Sequence, residues 1–531
     1  MIFLLLAGIV FATGSQESGQ IIAGVSTTTP VGQYPIRTDV TLEIWLSLNA
    51  NISPNYTNIG DTPFAKGLQE RTGVKVNFIH PPTTANAARE QLNLMIAAND
   101  LPDIIEWNWV SPTDFPGGPE KGIADNTILR LNNIIDQWAP NLKAYLRANP
   151  QYDRMVKTDN SSYYAFPFIR DGEKLLYSQG LMIRKDWLDD LGMQPPTTLD
   201  EFHNMLVRFK NEKNSQAPFT IVWSNNQRML VSSFGILKNW FISADDGKVH
   251  LGIIEPAYRR WAETMALWYK EGLIDPDLMS IQTAQQNTKM TNGSAGSTVA
   301  SGGSGIGTWT PAARATNPRY EIIAIADPVE KAGQKLIYSI PNQEYSGQDC
   351  SAISGTSRNV EIAARFLDWG YSNDGYLYYN FGIEGESWNM VNGQPIFSPQ
   401  VMQNPNGWPL AQSMSAYCRS PGAGPFIQHV GYIEQYYELP EQKQLLINYV
   451  VPGASNYVLP ALTATTEESR ELNSIMQDVN TYVEEMTAKF VLGTEAITDA
   501  SWNTFITTIQ RMNIQRAIEI QNAALDRFKR R

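Results

Sequence analysis

The sequence predicts an α/β protein built from wound sheets, and three features predict it. Residues 40–105 alternate strand, helix, strand, helix and strand, the order from which parallel sheets are wound. At 531 residues the chain exceeds one ordinary core, so two or three domains are expected. Apolar residues at 43% and charged residues at 18% suit a globular chain rather than a disordered one.

The elements follow in order. Val40, Leu42, Ile44, Leu46 and Leu48 alternate with Thr41, Glu43, Trp45 and Ser47, the period of two that marks a strand. Thr62-Pro63 caps and starts a short helix that Gly73 ends. Val74, Val76 and Phe78 give a second strand. Ala88, Leu92, Met95 and Ile96 then share one helical face, and Asp103-Ile104-Ile105 is a third strand. Leu131, Ile134, Ile135 and Trp138 form a helix face interrupted at Pro140. Thr198-Leu199-Asp200-Glu201 is a capping box that opens a helix with Phe202, Met205, Leu206 and Phe209 on its buried face. Trp261, Met265 and Trp268 line another helix, stopped by Gly272. The Gly/Ser-rich residues 293–307 read as a loop ending near Trp309, residues 322–325 as a strand, and residues 363–369 as a helix. From Glu467 the chain is mostly helical. No internal repeat is evident.

Composition excludes several function classes. Acidic residues exceed basic ones, 53 against 41, and no basic run precedes the tail Arg527-Phe528-Lys529-Arg530-Arg531. That tail closes a helix, where cations suit the negative end of the dipole. A nucleic-acid partner is therefore not expected. Residues 2–12 form an apolar run of signal-peptide length followed at once by polar residues 13–19, although no Lys or Arg precedes it. Export is expected, with residues 1–12 the signal peptide and 13–37 a tether. No later stretch reaches the length of a membrane span. Cys350 and Cys418 alone cannot form a zinc site, and a disulfide between them is left open. His80, His203, His250 and His429 lack metal-ligand spacing, and no Gly-x-Ser-x-Gly elbow is present, so neither a metal nor a cofactor is expected.

Ordered segments along the chain carry a resemblance. They are Asn99-Asp100-Leu101-Pro102-Asp103 after the helix from Glu90, and Trp138-Ala139-Pro140-Asn141-Leu142, followed by Tyr163-Tyr164-Ala165-Phe166-Pro167. Next come Arg184-Lys185-Asp186-Trp187-Leu188, Pro195-Pro196-Thr197-Thr198, Trp268-Tyr269-Lys270-Glu271-Gly272-Leu273-Ile274-Asp275 and Gly382-Ile383-Glu384-Gly385. Together with residues 502–528 they resemble the extracellular solute-binding proteins of ABC importers. The likeness is to the long oligosaccharide-binding group that includes alginate-binding proteins and LplA-type lipoproteins. The resemblance implies a two-lobed, periplasmic-binding-protein-like α/β fold of type II, with the ligand in a cleft between lobes that close about a hinge. It implies a carbohydrate ligand, ABC permease transmembrane subunits as partners, and a monomer. The lobes are placed at 38–165 plus 322–356 and at 166–321 plus 357–531. Alginate-binding proteins carry a calcium loop after the capping-box helix. Here residues 210–218 are shorter and lack an Asp series, so calcium and a uronate polymer are not expected.

Candidate ligand contacts follow from side-chain chemistry. Indole rings stack on the apolar faces of sugars, and amides offer both a donor and an acceptor to hydroxyls. Trp107-Asn108-Trp109 follows the third strand, where open sheets place ligands. Trp309 follows a Gly-rich run that backbone or ligand can approach closely. Glu384 and Trp388 occupy a loop, Arg184 can anchor an acidic group or a hydroxyl or pair with Asp186, and Trp223, Trp240, Trp408 and Tyr417 lie in polar or Gly/Pro-containing surroundings. The competing class is an exported glycoside hydrolase or lyase, with Glu384 and Glu386 as its carboxylate pair.

Overall fold

The computed structural model describes residues 27–111 and 113–531, so the signal-peptide assignment lies outside the described residues. Two four-stranded sheets organise the chain. In the first, Thr41–Trp45 is central and runs parallel to Lys75–Ile79 on one side and Ile104–Trp107 on the other, with Ile44 level with Ile104. Cys350–Ile353 completes it, antiparallel to Ile104–Trp107. The local reasons were legible. The Thr62 side chain accepts from the Ala65 N–H and caps the helix Pro63–Thr72. Gly73 ends that helix at φ +74°, where a Cβ would stand 2.3 Å from the Ile36 carbonyl oxygen. The helix Ala85–Ala98 is capped by Thr84 and closed by Asn99 in the left-handed region.

The second sheet runs Ile322–Ile325, Gln179–Arg184, Ala295–Ser301, Ala217–Thr220. Its first two pairings are antiparallel and its last is parallel. The capping box at Thr198 and Glu201 is formed, and it opens the helix Leu199–Glu212 over this sheet. Phe202, Met205, Leu206 and Phe209 of that helix are buried together with Trp261 and Met265.

Three features differ from the sequence reading. The strand Ile322–Ile325 belongs to the second sheet, with Ile323 level with Ile183, and not to the first lobe. Conversely, the helix Val360–Trp369 and Phe166, Phe168 and Ile169 pack in the first core. The chain therefore crosses between cores around residues 170–178 and 326–349, leaves the first core again after Tyr379, and returns to it briefly at Ala423, Phe426 and Ile427. Periodicity identifies a strand but not its partner, which is set by hydrogen bonds remote in sequence.

The Gly/Ser-rich segment is the second difference. Instead of a loop it forms a nearly fully buried strand, Ala295–Ser301, inside the second sheet. It continues through one wide turn into the helix Gly307–Arg314. Small residues are required there: a Cβ on Gly296 would lie 2.4 Å from the Phe209 ring. Third, residues 27–37 do not hang free. Arg365 Nη2 donates to the carbonyls of Thr29 and Pro30, and the Ile36 N–H donates to the Thr72 carbonyl.

The C-terminal helices Thr466–Leu492, Asp499–Arg511 and Ile514–Arg530 cover the second core. The basic tail does more than complement a dipole. Arg527 pairs with Asp159 of the first lobe at 2.5 Å and with Glu468 at 2.5 Å, and Arg531 pairs with Asp159 at 2.6 Å. Among the described residues no helix is long and apolar enough to cross a membrane. Cys350 and Cys418 are free thiols buried in separate cores, which closes the disulfide question.

Candidate functional site

The parallel strands of the first sheet end at Trp45, Ile79 and Trp107, and a cavity of about 640 Å³ opens just beyond them. Ser47, Ser53, Thr83, Thr84, Asn108 and Gln348 line it, with Asp114, Asp349 and the Trp107 ring. This is the position at which open α/β sheets hold ligands, because successive loops leave the strands on the same side. Trp107 is wedged against Trp45 with ring centroids 5.3 Å apart, and its Nε1 donates to the Asp114 carbonyl at 3.2 Å. Only its rim therefore reaches the cavity. Asn108 Oδ1 accepts from the Ser111 N–H at 3.2 Å, and Arg89 pairs with Asp114 at 3.3 Å. These bonds hold the loop residues Asn108, Ser111 and Asp114 as one wall of the site.

The same loop, through Thr113, also borders a second cavity of about 350 Å³ on the side of the other lobe. Trp240, Lys238, Asn239 and Gln521 line that cavity, with Asn473, Met476, Asn480 and Glu484 from the helix Thr466–Leu492. Residues 473, 480 and 484 are seven and four apart, so they fall on one helical face. Glu484 is the hub. Its Oε1 accepts from Lys238 Nζ at 2.5 Å, and its Oε2 accepts from Trp223 Nε1 at 3.1 Å and Asn226 Nδ2 at 2.9 Å. Lys238 also donates to Asn226 Oδ1 at 2.7 Å. Burial draws the Lys238 ammonium below its ordinary pKa, against the pull of Glu484. The two cavities thus adjoin one loop, Thr113 bordering one and Asn108 and Asp114 the other, with an indole in each lining.

The structure sorts the candidates from the sequence. Trp107 and Asn108 border the first cavity, Trp240 borders the second, and Trp223 stands behind the second through Glu484. Four others lie in the interior. Trp109 is fully buried, its Nε1 donating to the Cys350 carbonyl and its ring set edge-on to Phe115. Trp309 is 1% exposed and donates to Asn287 Oδ1 at 2.9 Å. Trp388 donates to the Gly382 carbonyl at 3.1 Å and packs on Phe381. Arg184 is 2% exposed and bonds Asp186 through both Nε and Nη2, at 2.8 and 2.6 Å. In the three indoles an internal partner takes the N–H that a sugar would have needed, and in Arg184 Asp186 takes Nε and Nη2 while the buried Nη1 has no hydrogen-bond partner.

The rest line neither cavity. Tyr417 is buried and its hydroxyl accepts from Gln400 Nε2 at 3.1 Å. Trp408 meets Tyr56 edge-on at 5.9 Å, on a seam where Asn55 also bonds Gln412. Glu384 and Glu386 stand exposed on a tight turn with Gly385 at φ +82°. Sequence reasoning missed Asp114, Gln348, Asp349, Lys238, Asn239, Asn480, Glu484 and Gln521. One signal existed: Asn473, Asn480 and Glu484 repeat at helical spacing beside Leu472, Met476 and Val483, a polar stripe on an otherwise apolar face.

Residues 54–376, more than half of the chain, match the family described as bacterial extracellular solute-binding protein, and the chain belongs to that family. Its fold is that of the two-lobed solute-binding proteins. Among curated relatives it is 24% identical over 522 residues to the fructooligosaccharide ABC transporter substrate-binding protein FusA of Streptococcus pneumoniae serotype 4, covering 93% of this chain and 92% of that one. It is 24% identical over 350 residues to lipoprotein LipO of Bacillus subtilis, covering 62% and 65%. Among solved structures, the alginate-binding protein AlgQ2 without calcium ion superposes with a TM-score of 0.73 at 26% identity, covering 92% of this chain and 98% of that one. FusA in complex with kestose superposes with a TM-score of 0.73 at 20% identity, covering 92% and 99%.

Proposed function

We propose that this protein captures an oligosaccharide between its two lobes and delivers it, chemically unchanged, to the transmembrane subunits of an ABC importer outside the cytoplasm. One observation carries the reading: two cavities that together offer hydroxyls and amides adjoin the same loop through Asn108, Thr113 and Asp114, with Trp107 lining one and Trp240 the other. A sugar chain needs both chemistries. Its ring faces are apolar and suit indole, while its hydroxyls donate and accept, as Ser, Thr, Asn and Gln do. The larger cavity alone falls within the usual span of small-molecule sites, about 300–1,000 Å³, and the second extends the ligand's course. The similarity to FusA, of a fructooligosaccharide ABC transporter, and to AlgQ2, an alginate-binding protein, supports a carbohydrate. Capture without turnover accords with the exposed position of Glu384 and Glu386, which line neither cavity.

The test is a thermal-shift and calorimetric screen of tri- to hexasaccharides of fructose, glucose, galactose and mannose. A binder at one hundred times its Kd adds about 2.7 kcal/mol to stability. That corresponds to a rise of roughly 5–10 °C for a lobe of this size. The recovered sugar should be intact by chromatography. If no sugar raises the melting temperature while a peptide does, the carbohydrate reading fails; if sugar is cleaved, the binding-only reading fails.

A further inference from the structure

We propose that the cleft is selective for uncharged oligosaccharides and excludes anionic ones such as uronate oligomers, and that Asp349 and Glu484 set this selectivity. The inference rests on the oligosaccharide reading above and adds the chemical class of the ligand.

The argument is one of charge at close quarters. An anionic ligand leaving water needs a cation that is not already neutralised. The basic groups in and behind the two cavities are each committed. Arg89 pairs with Asp114 at 3.3 Å. Arg419 pairs with Glu106 at 2.7 Å beneath the first cavity. Arg170 donates to the Gln343 carbonyl, lies over the Phe168 ring and faces Asp349. Lys238, the basic side chain that lines the second cavity, is 3% exposed and held by Glu484 and Asn226.

The acids are placed differently. Asp349 lies exposed at the wall of the first cavity, and the Glu484 side chain is 47% exposed at the wall of the second. The cations lie behind and the carboxylates in front. A ligand therefore meets negative charge first, among hydroxyls and amides that are neutral and serve as both donors and acceptors. A ligand carboxylate about 8 Å from Glu484 has the paired Lys238 only about 2.5 Å farther off, so at an effective dielectric near 20 the pair repels it by about twofold to threefold, and the anion's own desolvation, with no free cation to offset it, supplies the greater part of a roughly 30-fold penalty. Selectivity of this kind works by a penalty on the wrong ligand rather than by an added contact.

The experiment titrates the full chain, by calorimetry at low and high salt, with two sets of probes. One set is the neutral tri- to hexasaccharides named above; the other is tri- to hexamers of galacturonate, glucuronate, mannuronate and guluronate. The tightest probe is expected to be neutral, with no uronate within 30-fold of it in low salt and a smaller gap in high salt. Glu484→Gln and Asp349→Asn should each narrow the gap at least fivefold. Asp349→Asn, on a loop, covers the case in which Glu484→Gln fails to fold. A uronate that binds tightest, or within threefold of the best neutral sugar, overturns the proposal while leaving the oligosaccharide reading intact. A gap that neither substitution nor salt changes also overturns it. If neither set binds, the oligosaccharide reading falls and this inference falls with it.

Discussion

Arg184 separates two accounts of the same residue, a ligand anchor or a structural cation. Its guanidinium lies 4.2 Å from the Tyr320 ring centroid and 4.6 Å from that of Trp187, while two of its nitrogens hold Asp186. The Arg184 and Asp186 side chains are only 3% and 7% exposed. Replacing Arg184 with Met keeps most of the stem but leaves the Asp186 carboxylate buried and unpaired. Such a loss costs about 3–5 kcal/mol, with the ring contacts contributing within that range. For a lobe of this size the melting temperature should fall by roughly 10 °C, read by calorimetry on the second lobe's transition. Sugar affinity at 20 °C, where the variant remains folded, should change less than about threefold. Adding Asp186→Leu removes the stranded charge and should restore at least half of the lost stability, a coupling that a double-mutant cycle measures. A melting temperature within about 2 °C of the parent, together with an affinity loss above tenfold, would refute the structural account.

Other outcomes follow from the same geometry. Trp240→Ala should weaken sugar binding by about tenfold with little change in melting, whereas Trp309→Ala should cost about 3–5 kcal/mol of stability and leave affinity in the folded protein unchanged. Burial pushes the Glu106 carboxyl up to about 7, against the pull of Arg419. A carboxyl raised above its unfolded value contributes stability that is fully present below about pH 4.5 and lost as pH rises through about 7. Denaturant titrations should show this group adding up to about 3 kcal/mol at pH 4.5 relative to pH 8, and Glu106→Gln should flatten that slope. Burial pushes both thiols up to about 12, so native protein should be inert to a thiol reagent while denatured protein reacts at two sites. Rapid labelling of one thiol in the native state would contradict the buried placement.

Local order decided much of what the sequence disclosed. The strand at Thr41–Trp45, the Thr62 cap, the Gly73 stop and the Thr198–Glu201 capping box depend on neighbours within a few residues, and each formed as read. The ordered motifs disclosed the family. Burial was the limit. Trp109, Trp309 and Trp388 carry the same indole as Trp240, and only the tertiary partners Cys350, Asn287 and Gly382 take their N–H groups inside.

The site's second wall was hidden for a related reason: Glu484 meets Trp223 and Lys238 across more than two hundred residues, so no window of sequence contains the contact. The same holds for Ile322–Ile325, whose apolar pattern specifies a strand while the hydrogen bonds to Gln179–Arg184 specify its sheet. Sequence alone therefore determined most of the helices and strands with local caps and periodicity, and the binding-protein class. Which rings line a cavity, and which charges are buried behind one, was decided by packing, because exposure belongs to the assembled fold and not to a residue type.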